Sequence, residues 1–172
     1  LALGTVNLGT GNFTLDTTGG ALTQTGALTT NVADIPTGAG TATLDNAGNN
    51  FTSFNLSSTN TDATVVDTGG LALGNVNLGT GNFTLNTTNG NLTQTGALTS
   101  NVADITTGAG TATLTNAGNN FTSFNLSSTN TASVVDTGGL ALGTVNVGTG
   151  NFTLDTTGGA LTQTGALTSN VA

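Results

Sequence analysis

The chain has 172 residues, including 27 glycines, and carries a net charge of −8. It contains no lysine, arginine, histidine, cysteine, methionine, tryptophan or tyrosine. Without these side chains it lacks a general base near neutral pH, a thiolate and a Schiff-base amine, so we expect no enzyme activity. Lacking cations, it is predicted to bind neither nucleic acid nor anionic lipid. No apolar run approaches the roughly 18–20 residues that cross a bilayer, so we predict no membrane insertion.

The chain consists of internal repeats. Residues 71–139 repeat residues 1–70 with 8 substitutions and the loss of Asp62, and residues 140–172 repeat residues 1–33 with two substitutions. A fixed long period indicates that one structural unit is stacked on itself. We therefore expect residues 1–172 to form one continuous array, and we expect this array to be a segment of a longer chain.

Glycine-rich junctions divide the 70-residue unit into rungs of twenty, thirty and twenty residues. The predicted rungs are 1–20, 21–50, 51–70, 71–90, 91–120, 121–139, 140–159 and the incomplete 160–172. Short alternating runs such as Leu1-Ala2-Leu3 and Phe13-Thr14-Leu15 indicate brief strands, and glycine and asparagine supply the corners between them. Thr and Gly are poor helix formers. The pattern predicts an all-β, parallel β-solenoid of about eight rungs, which at the strand spacing gives a rod of roughly 35–40 Å.

Two details follow from this division into rungs. The predicted inward column comprises Leu15, Leu44, Val66, Leu85, Leu114, Val135 and Leu154, with Phe13, Phe83 and Phe152 beside it. The ten extra residues of each thirty-residue rung are expected to form either a longer face or a protruding loop, and we favour a modest protrusion around Ile35–Gly40 and Ile105–Gly110. Pro36 favours the protrusion, because proline at a paired position costs a ladder hydrogen bond.

The repeat strings resemble those of a known family. GALTQTGALTT (20–30), GTATLDNAGNNF (40–51) and LALGTVNLGTGNFTL (1–15) resemble the repeats of filamentous-haemagglutinin-type adhesins, large exoproteins of the two-partner secretion route. The resemblance implies a right-handed β-helical shaft on a Gram-negative cell surface that serves adhesion, biofilm cohesion or toxin delivery. That family's N-terminal secretion domain is absent here, and copies this similar indicate shaft rather than tip.

Five aspartates occupy one apparent register position: Asp16, Asp45, Asp67, Asp136 and Asp155. If their rungs stack, the carboxylates lie about 5 Å apart and repel one another, and Ca²⁺ would relieve the repulsion. The alternative is ordinary turn chemistry, in which each Asp accepts hydrogen bonds from local backbone amides. The calcium-solenoid motif GGxGxD is absent, which favours the alternative.

Other patterns suggest minor functions. Thr-x-Thr at 23–25, 41–43, 93–95 and 111–113 is typical of ice-binding solenoids, but it occurs in one rung of three. Paired aspartates in a β-helix suggest a polysaccharide-active enzyme, but this chain lacks the basic residues that such sites carry. Glycosylation sequons occur at Asn12, Asn50, Asn82, Asn120 and Asn151, and also at Asn55, Asn86, Asn91 and Asn125. An Asn/Thr-rich chain produces many such sequons by composition alone.

The sequence therefore predicts a structural rod without cofactor. We expect an extracellular location on a bacterial surface and a role as the rigid shaft of an adhesin or fibre. Its partners would be neighbouring repeats of the same chain or fibre and an unidentified surface receptor. The alternative is a matrix filament whose segments stack end to end through unpaired terminal rungs.

Overall fold

A computed structural model describes all 172 residues, as strands and turns without a helix, so no helix is present that could cross a membrane. The strands are β1 (Ala2–Leu3), β2 (Val6–Asn7), β3 (Phe13–Thr14), β4 (Thr23–Gln24), β5 (Leu28–Gly38), β6 (Ala42–Leu44), β7 (Asn50–Ser58), β8 (Ala63–Val66), β9 (Leu71–Asn77), β10 (Phe83–Asn86), β11 (Leu92–Gln94), β12 (Leu98–Gly108), β13 (Ala112–Leu114), β14 (Asn120–Ser128), β15 (Ala132–Asn146), β16 (Phe152–Gln163) and β17 (Leu167–Thr168).

Every strand pairs in parallel with a strand one coil away. Ala42 lies opposite Ala63, and Ala63 lies opposite Phe83, so the ladder passes from β6 to β8 to β10. The result is a β-solenoid of about 8 coils, with partners roughly 20 residues apart along the chain. Parallel pairing needs a long connection between partners, and here the remainder of each coil supplies it. The predicted all-β solenoid and its coil number are confirmed.

One 70-residue copy does not correspond to a whole number of coils. Phe13 lies opposite Ala33, which lies opposite Phe54, whereas Phe83 belongs to the separate ladder of Ala42 and Ala63. Phe13 and Phe83 are the same position in consecutive 70-residue copies. With roughly 20 residues in each coil, 70 residues complete about three and a half turns. Equivalent residues of consecutive copies therefore lie on opposite halves of the solenoid.

The favoured protrusion is wrong and the alternative, a longer face, is what forms, while the coils of roughly 20 residues do not follow the predicted thirty-residue rungs. Residues 28–38 form one continuous strand, β5, in which Ile35 is completely buried and Pro36 lies opposite Ser57. Strand β12 repeats this arrangement in the second copy, so neither Ile35–Gly40 nor Ile105–Gly110 protrudes as a loop. Ala33 and Ile35 alternate inward, and burying such side chains is worth more than the single hydrogen bond that proline removes.

Pro36 does leave a local trace. The Thr17 N–H donates to the Pro36 carbonyl at 3.2 Å, as the Thr87 N–H donates to Thr106 at 2.9 Å in the second copy. In a parallel ladder, a residue whose carbonyl accepts a hydrogen bond also donates its own N–H to the same neighbouring strand. At position 36 that N–H would donate to the Leu15 carbonyl, but proline has no N–H. Strand β3 accordingly ends at Thr14, whereas its counterpart β10 continues through Asn86.

The core is a closed apolar column inside the coils, formed by 33 buried hydrophobic residues. The predicted inward column is partly wrong, because it assumed that copies stack in phase. Val65 and Val134 point inward in place of Val66 and Val135. Leu44 stacks on Val65 and then Leu85. Leu114 stacks on Val134 and then Leu154 in a different ladder.

Candidate functional site

The structure does not bring the five predicted calcium-binding aspartates together. Asp155 lies opposite Val135, and Asp136 lies opposite Thr156. Their side chains also face different ways, because Asp16, Asp45 and Asp155 are exposed whereas Asp67 and Asp136 are completely buried. No group of three or more acidic side chains is placed to hold a metal ion. The sequence alignment placed the five aspartates in one column because it assumed that each of them directly follows an equivalent inward-facing residue.

Local turn chemistry accounts for Asp16. Its Oδ1 accepts a hydrogen bond from the Thr18 N–H at 2.7 Å, and Asn86 makes the equivalent bond with the Thr88 N–H at 2.9 Å. Thr18 and Thr88 both have positive φ, which such a side-chain-supported turn accommodates. Exchange between Asp and Asn at this position therefore preserves the turn.

The two buried aspartates have a different environment. Asp67 Oδ1 accepts the Phe51 N–H at 2.7 Å, and Asp136 Oδ1 accepts the Phe121 N–H at 2.8 Å. The second oxygen, Oδ2, is buried without a hydrogen-bond partner in both residues. Burial raises the pKa of Asp67 to about 6, although its backbone hydrogen bonds oppose the shift, and burial also raises the pKa of Asp136.

Sequence reasoning missed the most connected polar group, an amide pair that joins three coils, in which Asn49 is buried and Gln24 half-buried. Asn49 Oδ1 accepts the Leu28 N–H at 2.9 Å and a Gln24 Nε2 hydrogen at 2.8 Å. Asn49 Nδ2 donates to Gln24 Oε1 at 2.9 Å and to the carbonyls of Leu44 and Val66. We call this arrangement the amide clamp.

The amide clamp recurs in the second copy with Gln94 and Asn119 at closely matching distances. In the last copy Gln163 bonds only to the nearby Gly165 carbonyl. A glutamine and an asparagine 25 residues apart, recurring in a chain otherwise rich in small and hydroxyl side chains, were the available signal. Fully paired buried amides specify one register of the coils, because any slip leaves them unsatisfied.

Two outward concavities carry polar side chains. One, of about 360 Å³, is lined by Asp34, Asn55, Leu56, Ser57 and Asn75, and its counterpart of about 380 Å³ includes Asp104 and Asn125. Asn55 folds over Gly74, where a Cβ would lie only 1.8 Å from its Oδ1, and accepts the Asn75 N–H at 3.1 Å. Ser57 and Asp34 line the first concavity and Ser127 and Asp104 the second, without a hydrogen bond between serine and aspartate in either.

The predicted sequons divide into two groups. Asn12, Asn82 and Asn151 each accept a hydrogen bond from the asparagine one coil away, at 3.1, 3.0 and 3.1 Å. Asn50 and Asn120 are exposed at the starts of strands β7 and β14. Glycosylation stays a prediction, with these two as the freer acceptors.

Threonines stack more regularly than the Thr-x-Thr pattern suggested. Thr43, Thr64 and Thr84 lie opposite one another in consecutive coils on the outer surface. The column ends where Thr84 meets Asp104, and the adjacent outward column places Val66 beside Asn86. Ice-binding surfaces of the predicted kind need two threonine columns side by side, and the second column is not formed.

Comparison with known proteins identifies a family but not an activity. Searches of curated proteins and of solved structures each found no match. The family described as "Repeats of unknown function (DUF5649)" matches residues 1–57, 60–127 and 129–170, nearly the whole chain. The three matches have nearly the spacing of the copies, but the second and third begin at residues 60 and 129, ahead of the copies that begin at 71 and 140. The protein is therefore a member of the DUF5649 repeat family.

Proposed function

We propose that this chain is a length of rigid shaft in a secreted bacterial surface adhesin or fibre, where it holds another part of the protein away from the cell. The proposal rests on one observation, the parallel pairing that joins fifteen of the seventeen strands in one sheet, with β1 and β4 paired to each other at the first coil. A continuous hydrogen-bonded ladder around a packed core resists bending, which is the property a spacer needs.

The surface chemistry also suits an extracellular shaft. All eight charged side chains are aspartates, so shafts repel one another and stay dispersed. The amide clamps, with the buried aspartates, are the specialised polar features of the interior, and they join coils of the same chain. The similarity of the repeat strings to filamentous-haemagglutinin-type adhesins supports the same role.

A second candidate is a matrix filament that grows end to end. In the last coil, Leu161 and Val171 are 51 % and 60 % exposed, and a notch of about 240 Å³ is lined mainly by apolar side chains that include Phe152 and Leu167. An uncovered solenoid end offers unpaired backbone groups and apolar surface to another coil. A second copy stacked there would extend the ladder.

Two measurements separate these functions. For a shaft, we expect the parent polypeptide to be several hundred kilodaltons under denaturing conditions. We also expect the 172-residue chain to sediment as a monomer, and each added 70-residue copy to lengthen the rod by about 17 Å in electron micrographs. A short parent chain that forms longer particles with rising concentration would support the filament. Added copies that thicken the particle without lengthening it would refute both.

A further inference from the structure

The inference concerns the two aspartates that face the core. Asp67 and Asp136 are the only charged residues with no exposed surface, and they occupy the same position in the first and second copies. Asp67 follows the end of β8 and Asp136 lies within β15, and each comes two positions after an inward valine, Val65 or Val134, so the side-chain alternation also points it inward. The duplication shows that the arrangement does not depend on one chance contact.

Nothing in the chain compensates a negative charge at these positions. Oδ1 of each carboxyl has one backbone donor, and Oδ2 has none. The chain has no cationic side chain, and its N-terminal amine bonds to the Ala21 carbonyl. An ionised carboxylate with one free, buried oxygen and no counter-charge is strongly disfavoured, whereas the neutral acid is not.

The packed surroundings contain no second group that could control this titration. Strands β6 and β10, which pair with β8 on either side, and strand β7, which supplies the Phe51 N–H, carry no titratable residue. Near Asp136, strand β14 carries none, and Asp155 on β16 is exposed. Asp45, directly after β6, and Asp62, directly before β8, are exposed as well.

We propose that Asp67 and Asp136 are acid-dependent latches, which hold their coils together as neutral acids and weaken them when they ionise. Each latch joins the segment after β8, or the corresponding part of β15, to the start of the preceding long strand, at Phe51 or Phe121. Gly69 and Gly138, at φ +121° and +129°, lie two residues further on, where the backbone conformation favours glycine. The shaft is then firmer in mildly acidic surroundings than at neutral pH.

The direction of the pH dependence follows from the burial. The pKa of Asp67 is about 6 in the folded chain, against 3.8 without the fold. Below pH 3.8 the carboxyl is neutral in both states and costs nothing, and as the pH rises from about 4 to about 6 only the unfolded chain ionises freely. Stability is therefore lost over this range and is lowest above it. The raised pKa of Asp136 acts in the same direction.

The test compares two matched double variants with the unmodified chain in thermal and urea unfolding between pH 4 and pH 8. Asp67→Asn with Asp136→Asn removes both latch charges and keeps the shape and the Oδ1 acceptor. Asp34→Asn with Asp104→Asn removes two exposed charges from equivalent positions of the same copies. We expect the unmodified chain and the exposed-site variant to lose stability as the pH rises towards 7. The latch variant should stay nearly level.

At pH 7 the unfolding equilibrium constant of the latch variant should be smaller than that of the unmodified chain by about tenfold or more. Equal pH slopes in the latch variant and the unmodified chain would overturn the proposal. Carboxyl carbon NMR of the unmodified chain provides a readout that survives failure of a variant to fold. Midpoints for Asp67 and Asp136 above those of the exposed aspartates support the latches, and midpoints indistinguishable from theirs refute them.

Discussion

Residues 1–15 and 71–85 differ only by Thr5 and Asn75, yet they adopt different amounts of structure. The first segment contains three strands of two residues each, whereas the second contains the seven-residue strand β9 and most of β10. Leu8 is 43 % exposed, and its counterpart Leu78 is completely buried. The second segment has a coil on both sides and the first has one.

The comparison teaches that strands in this protein are produced by their neighbours more than by their own residues. A parallel strand gains its hydrogen bonds and much of its apolar burial from the coils above and below. Fifteen residues that differ at one position therefore form longer strands in the middle of the array and two-residue strands at its edge. Repeat arrays of this type gain stability with each interface between coils.

The most direct test of this difference is to truncate one phenylalanine in each segment. Phe83→Ala, at a fully buried interior position, is expected to lower the free energy of unfolding by about 3–5 kcal/mol. Phe13→Ala, at the partly covered end, should cost less than half as much, because its cavity is open to water. Urea unfolding of the two variants measures both. Equal costs would show that the first coil is covered in solution.

The amide clamp offers a second comparison between interior and end. Gln94→Ala leaves the Asn116 N–H and the Asn119 side chain with unsatisfied groups, at a cost of about 1–3 kcal/mol. Gln163→Ala removes only a bond to Gly165 and should be nearly neutral. Thermal melting separates the variants. A large loss of thermal stability in Gln163→Ala would show that the aliphatic part of the glutamine, rather than the hydrogen bonds of the clamp, provides the stability.

Exchanging proline and threonine tests whether the missing N–H causes the difference in length between strands β3 and β10. Thr106→Pro removes an N–H from an interior ladder while keeping a backbone that Pro36 already shows to be compatible, so we expect a loss of about 1 kcal/mol. Pro36→Thr restores the N–H opposite the end strand β3 and should change stability less. Amide hydrogen exchange around Leu85 and Leu15 would locate the effect. Increased protection at Leu85 in Thr106→Pro would be the contrary result.

The smallest effect is expected from metal removal. Since the five aspartates do not converge, EDTA should leave the melting temperature unchanged, in the interior and at the ends alike. Calorimetry with and without added Ca²⁺ is sufficient. A melting temperature raised by calcium and restored by EDTA would revive the metal site and point to the outward concavities at Asp34 and Asp104.

Some features could be predicted from particular residues. The short Leu, Phe and Thr alternations and the glycine-rich corners predict a solenoid with roughly 20 residues per coil, because strands so short are stable only when stacked. The outcome at Asp16 was also within reach, since an aspartate before a turn commonly binds the amide two residues later. Neither inference required knowledge of what lies beside each residue.

Other features depended on the register between coils. The alignment of Asp16 with Asp67 was sound as a pattern of letters, but Asp67 follows the inward Val65 by two positions, and a shift of one residue reverses the direction of every side chain. Pro36 indicated a protruding loop, yet burial of the neighbouring Ile35 outweighed its missing hydrogen bond. The clamp between Gln24 and Asn49 spans different coils, so their recurring 25-residue spacing acquires a meaning only when the register between coils is known.

By itself the sequence determined that this protein is a stack of β-coils without the residues of ordinary catalysis, because period and composition are properties of the chain alone. Only the tertiary structure decided that a 70-residue copy makes three and a half turns, so that copies alternate sides and two aspartates enter the core. The physical reason is that side-chain direction is set by the pairing of each strand with the next coil. That pairing is selected by burial of the whole column rather than by any single repeat.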